Sequence, residues 1–87
     1  NVVKCEDPNG FGDYIEVEFG IRNNLSEDYT LDLQILLLDS SGNVLEVERT
    51  YADTKSGRTI FDDRLISYQT GTSQCLVEIV EKRPAYP

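Results

Sequence analysis

The stretch Tyr29–Asp39, YTLDLQILLLD, limits the fold more than any other part of the chain. Tyr29, Leu31, Leu33, Ile35 and Leu37 alternate with Thr30, Asp32 and Gln34. A period of two is a strand with one buried face and one wet face. At Leu36 and Leu38 the wet face turns apolar too, so both faces near this end are expected to be covered. A strand of this kind belongs in the middle of a sheet.

Other segments repeat the pattern. Residues 14–22, YIEVEFGIR, put Ile15, Val17, Phe19 and Ile21 on one face, with Glu16, Glu18 and Arg22 on the other. Gly20, on the outer face, marks a bulge or a close neighbour. The two apolar faces match, so Ile15, Val17, Phe19, Leu31, Leu33, Ile35 and Leu37 are expected to form the core. Residues 43–51, NVLEVERTY, return from a turn at Asp39-Ser40-Ser41-Gly42. Aspartate first and glycine fourth suit a type I turn with a left-handed glycine. In the returning strand Leu45, Val47 and Tyr51 point one way, and Glu46, Glu48 and Thr50 the other. Arg49 interrupts the apolar side, as an edge strand allows.

Residues 2–6 (VVKCE), 58–66 (RTIFDDRLI) and 74–82 (QCLVEIVEK) complete the set of strands. Turn residues separate them: Pro8, Asn9, Gly10 and Gly12; then Lys55-Ser56-Gly57-Arg58; then the loop from Tyr68 to Ser73. Pro84 and Pro87 are expected to stop pairing at the end. No segment carries a helical period over a useful length. Residues 1–87 therefore read as one all-β domain, an antiparallel sandwich of about seven strands.

A chain of 87 residues buries a modest fraction of its surface, so a crosslink would help it. Apolar residues make up 39% of it, enough for one core and too many for a disordered tail. No apolar run approaches the roughly 20 residues that span a bilayer, so no direct membrane insertion is expected of this segment. The chain opens at Asn1 on a strand-like VVKC, and any export signal or anchor is expected to lie outside it or to have been removed. Net charge is −8, from 16 acidic and 8 basic side chains. That balance opposes binding to nucleic acid through its phosphates.

Two cysteines, Cys5 and Cys75, lie one near each end. There is no CxxC pair and no histidine, so a zinc site lacks ligands. The two thiols form either one disulfide or two buried free cysteines. Alternation favours the disulfide: Val3 and Cys5 share a face, as do Cys75, Val77 and Ile79, so both sulfurs would point inward. Such a bridge implies folding in an oxidising compartment.

Three features in order resemble the FxLYD family of immunoglobulin-like modules in bacterial envelope and secreted proteins. Asn23-Asn24-Leu25-Ser26 follows the second strand, where the family has a connection with asparagine and serine. Ile35-Leu36-Leu37-Leu38-Asp39, then Gly42-Asn43-Val44, looks like the family's naming stretch and the glycine after it. Lys55-Ser56-Gly57-Arg58-Thr59 with Phe61 is similar to its glycine turn before an aromatic strand. The likeness spans roughly residues 15–61, with Ile35 in place of the phenylalanine and Leu38 in place of the tyrosine. Cys5 and Cys75 further resemble the cysteines of small secreted or lipid-anchored actinobacterial relatives. The resemblance implies an immunoglobulin-like fold and an exported protein, and carries over no catalytic residue.

Catalytic arrangements have little to draw on. Without histidine there is no Ser-His-Asp or Cys-His set. Asp62-Asp63, Glu27-Asp28 and Glu6-Asp7 are adjacent acids, and neighbours on a strand point to opposite faces. Asp39-Ser40-Ser41-Gly42-Asn43 shares an opening with a calcium loop, but Thr50 stands where the twelfth-position glutamate belongs. Asn24-Leu25-Ser26 fits the glycosylation pattern and is read as an accident of sequence. Tyr14, Tyr29, Tyr51, Tyr68 and Tyr86 could form a patch but are expected to pack over strand edges. The expected role is a non-catalytic interaction or accessory module, extracellular or in the cell envelope. It would need no cofactor, and its partner would be another protein. The alternative is a small ligand- or calcium-binding domain.

Overall fold

The computed structural model describes residues 2–8, 10–67 and 69–84. Asn1, Asn9, Tyr68, Tyr86 and Pro87, which entered the reading above, lie outside the described residues. Six strands run in order: β1 Val2–Glu6, β2 Tyr14–Arg22, β3 Tyr29–Leu38, β4 Val44–Thr54, β5 Thr59–Ser67 and β6 Gln74–Pro84. They form two three-stranded antiparallel sheets, β1-β2-β5 and β4-β3-β6. The sequence reading expects about seven strands; six are present among the described residues.

The two central strands make the core. Ile15, Val17 and Phe19 of β2 meet Leu31, Leu33, Ile35 and Leu37 of β3, joined by Ala52 and Ile66. These are the seven residues the alternation selects, and all are buried. Gly20 also behaves as expected: its outer side is covered by the Phe61 ring, 2.8 Å from where a Cβ would stand. The ring shields a backbone that lacks its own side chain.

Turn chemistry fixes the hairpins. Asp39 Oδ1 accepts hydrogen bonds from the Ser41 and Asn43 amides, and Gly42 closes the turn with φ of 86°. That φ favours glycine. The Asn43 side chain donates to the same carboxylate, and these bonds hold the Asp39 carboxyl below its ordinary range. At the opposite end, Asn23 is buried and joins two connections. Its side-chain amide donates to the Glu27 carbonyl and to Thr54 Oγ1, and its oxygen accepts from the Leu25 amide. Its backbone pairs with Arg58 and Gly57.

Three expectations need correction, and each traces to an edge or a bulge. In β4 the apolar side faces out: Val47 pairs with Leu36 and Tyr51 with Asp32. Glu46, Glu48 and Thr50 are opposite Leu37, Ile35 and Leu33, on the core side. Leu36 is only 8% exposed, yet no second layer covers that face among the described residues. Val47 and Leu76 flank it within the sheet, at 43% and 42% exposure. Val3 does not share the inner face with Cys5. A bulge between Val2 and Lys4 puts Val2 opposite Phe19 and leaves Val3 59% exposed. At the other end of the chain β6 runs to Pro84, opposite Tyr29, where the described strand ends.

Candidate functional site

Cys5 and Cys75 are joined. Their Cα atoms lie 5.8 Å apart across a sequence separation of 70. Cys5 pairs with Val17 on β2 and Cys75 with Leu37 on β3, so the bridge lies beside the core and ties one sheet to the other. They are the two cysteines of the sequence, and the structure brings them together, although the parity of Val3 with Cys5 does not hold.

The bridge also sets where the sandwich opens. β1 has five residues and β6 eleven. The register of β1 with β2 reaches Phe19, while β6 continues past Val77 toward Pro84. Beyond the reach of β1, the inner side of β6 faces Gly20, Ile21 and Arg22 of β2 across an open groove. Ile79 stands opposite Leu33 but is 60% exposed. A bulge between Ile79 and Glu81 then returns the strand to register.

This overhang makes a groove of two adjoining cavities. One, about 200 Å³, is lined by Ile21, Leu25, Tyr29, Leu31 and Ile79, with Arg22, Asn23, Asn24, Thr54 and Lys82 around them. The other, about 260 Å³, adds Gly20, Leu33 and Val77. They share Ile21, Arg22 and Ile79. No acidic side chain lines either cavity, although the chain has twice as many acids as bases. Arg22 donates to Asn24 Oδ1 at 2.8 Å and to Thr59 Oγ1 at 3.4 Å. Lys82 Nζ stands 4.9 Å from the centre of the Tyr29 ring. Its stem follows apolar surface while its charge stays at the rim. The site is apolar with two cations at its edge, a combination that suits a carboxylate attached to an apolar body.

The acids singled out in the sequence go elsewhere. Asp62 turns toward Arg64, 3.3 Å away, while Asp63 lies on the outer face. Asp63 hydrogen-bonds Glu16, which raises its carboxyl above the ordinary value, with burial adding to the effect. Lys4 lies 3.4 Å from Glu16. This acid pair on an open sheet face shares a hydrogen bond rather than flanking a cleft. Asp7 accepts from the Gly10 and Gly12 amides. Asp28 accepts from the Ser56 amide and lies 3.4 Å from Lys55, and these lower its carboxyl. Among the described residues no group of three or more acids or cysteines could hold a metal ion. Tyr14 and Tyr51 lie on the outer faces of different sheets, so these two do not converge. No described helix is long and apolar enough to cross a membrane.

Arg22 and Lys82 were not selected from the sequence as a pair. They are far apart in the chain and line one cavity because β2 and β6 border the same opening. No known protein family, curated protein or solved structure matches the chain.

Proposed function

We propose that this chain is a non-catalytic interaction or accessory module of an exported or envelope-anchored protein, with another protein as its partner. The observation that carries the reading is the apolar surface left open on β6 of a disulfide-clasped sandwich. Leu76 on the outer face and Ile79 on the inner face are 42% and 60% exposed, and Val80 at the bulge is 46% exposed, on a strand paired on one side only among the described residues. Exposed apolar surface beside an open sheet edge is the ordinary mark of a docking region. The bridge is consistent with an oxidising compartment.

The strand order supports the immunoglobulin-like part of the reading, and the FxLYD type rests on the resemblance of residues 15–61 alone. Sheets β1-β2-β5 and β4-β3-β6 correspond to A-B-E and C′-C-F, without counterparts of D and G among the described residues. The clasp joins the A and F positions.

Photo-crosslinking in the cells that make the protein tests the reading. A photoreactive residue at Leu76 or Val47 should give an adduct with a discrete protein outside the cytoplasm. Absence of adducts from both positions, with the domain folded and abundant, would overturn it. Calcium titration followed by thermal melting addresses the alternative. The expected result is an unchanged melting temperature, because Asp7, Asp28 and Asp39 already direct their oxygens at turn amides.

A further inference from the structure

We infer that the groove beside β6 receives an extended segment of another polypeptide, with apolar side chains at alternate positions and a carboxylate that meets Arg22 and Lys82. This rests on the interaction-module reading and names its surface and the chemistry of its partner.

Position argues for a strand. β6 pairs only with β3 among the described residues, so Leu76–Ile79, ahead of the bulge, offer backbone donors and acceptors along a free edge. That edge is where the G strand of a complete immunoglobulin-type sandwich would pair with F. Strand addition at such an edge takes its affinity from main-chain hydrogen bonds, and its selectivity from pockets for alternate side chains. Here the pockets exist: Val77 and Ile79 border one cavity, and Ile79 with Leu31 the other.

Charge argues for the carboxylate. Lys4, Lys55, Arg64 and Arg83 all have acid partners. Four cations lie outside these ion pairs, Arg22, Arg49, Arg58 and Lys82, and of these Arg22 and Lys82 border the cavities, which carry no acids. Two cations beside an apolar floor attract an anion, and Arg22 can hold a carboxylate through two parallel hydrogen bonds. A second copy of the chain fits less well. Each copy carries −8, and Glu78 and Glu81 lie along the same strand. An alkyl carboxylate also fits less well, since both cavities are open to solvent and a ligand pocket normally encloses most of its ligand.

The test uses the intact, oxidised domain and an N-acetylated octapeptide that alternates valine with serine and threonine and ends in a free carboxylate. Titration is followed in ¹H–¹⁵N spectra. The expected result is saturable shifts at Leu76–Ile79, Ile21, Arg22 and Lys82. Affinity should fall about fivefold or more when the peptide ends in an amide, and similarly in Arg22→Gln and in Lys82→Gln. Both substituted side chains are exposed, and unchanged spectra away from the groove verify that each variant folds. Absence of shifts at millimolar peptide would overturn the proposal, as would equal binding of the acid and amide peptides. Shifts at β6 that grow with protein concentration alone would replace the peptide with a second copy. Shifts given by decanoate but not by the peptide would replace it with an alkyl carboxylate. Any of these failures alongside crosslinks at Val47 would leave the interaction-module reading standing and remove only the groove.

Discussion

The two flanks of β3 present opposite chemistry to one core. Leu33, Ile35 and Leu37 each have a neighbour on either side. On the β6 side these are Ile79, Val77 and Cys75; on the β4 side they are Thr50, Glu48 and Glu46. The first flank is apolar and closed at one end by the disulfide. The second is polar and faces the Asp62–Arg64 pair of β5 across the open side of the sandwich. An edge strand needs an apolar inner face only where something lies across from it. β4 reaches the core only at Ala52 and Thr54, near its end.

Substitutions sharpen this contrast, beginning with the residue both flanks share. Leu33→Ala should cost about 2–5 kcal/mol in chemical denaturation, since it leaves a cavity between both sheets. A loss below about 1 kcal/mol would mean that the core has collapsed to fill the space. Replacing both cysteines with alanine should cost roughly 2–5 kcal/mol, because the bridge constrains nearly the whole unfolded chain. Hydrogen exchange should then rise first in β1 and the Cys75 end of β6, leaving β4 little changed. Uniform acceleration would show that the clasp acts on the whole fold and not on one flank.

The matched neighbours of Ile35 give the sharpest comparison. Val77→Ala, half-buried beside the core, should cost about 1–2 kcal/mol. Glu48→Ala should stay within about 0.5 kcal/mol, being an exposed site without a partner in the core. Equal effects would erase the distinction between flanks.

The smallest effect is a pH dependence at the turns. Hydrogen bonds from Asn43 and from turn amides keep Asp39 ionised below its ordinary range. Its folded-state value lies below the unfolded one, so its contribution is present above about pH 4 and is lost as pH falls through the folded value. Asp28 has the same sign, through Ser56 and Lys55. Asp63 has the opposite sign: its contribution is present at low pH and lost as pH rises through its raised value. Asp39→Asn should therefore flatten the acid limb of the stability curve below about pH 4. An acid limb unchanged from the parent would contradict the role given to this turn.

Alternation made the centre of the molecule legible. β2 and β3 are covered on their inner faces along most of their length, so the period of two reads directly as burial. It failed for β4, where Val47 and Tyr51 form an apolar side that faces water. Parity alone cannot say which side is inside when the strand lies at an edge. It failed at Val3 because a bulge uses one residue without leaving a mark in composition. Asn23 was read within a family-like connection and a chance glycosylation pattern. Its buried bonds to Glu27 and Thr54 depend on how two connections meet. The groove was less legible still. It exists because β1 is shorter than β6, and its two cations come from strands joined only through the fold. The disulfide was accessible because two cysteines leave one pairing.

Intact mass with peptide mapping tests the clasp on which the flank comparison rests. Protein taken from an oxidising compartment is denatured without reduction, alkylated and digested. The account requires no alkylated cysteine, and a peptide containing Cys5 linked to one containing Cys75 that separates on reduction. Two alkylated thiols in that sample would contradict it, and would leave β1 and β6 without the covalent tie that makes one flank differ from the other.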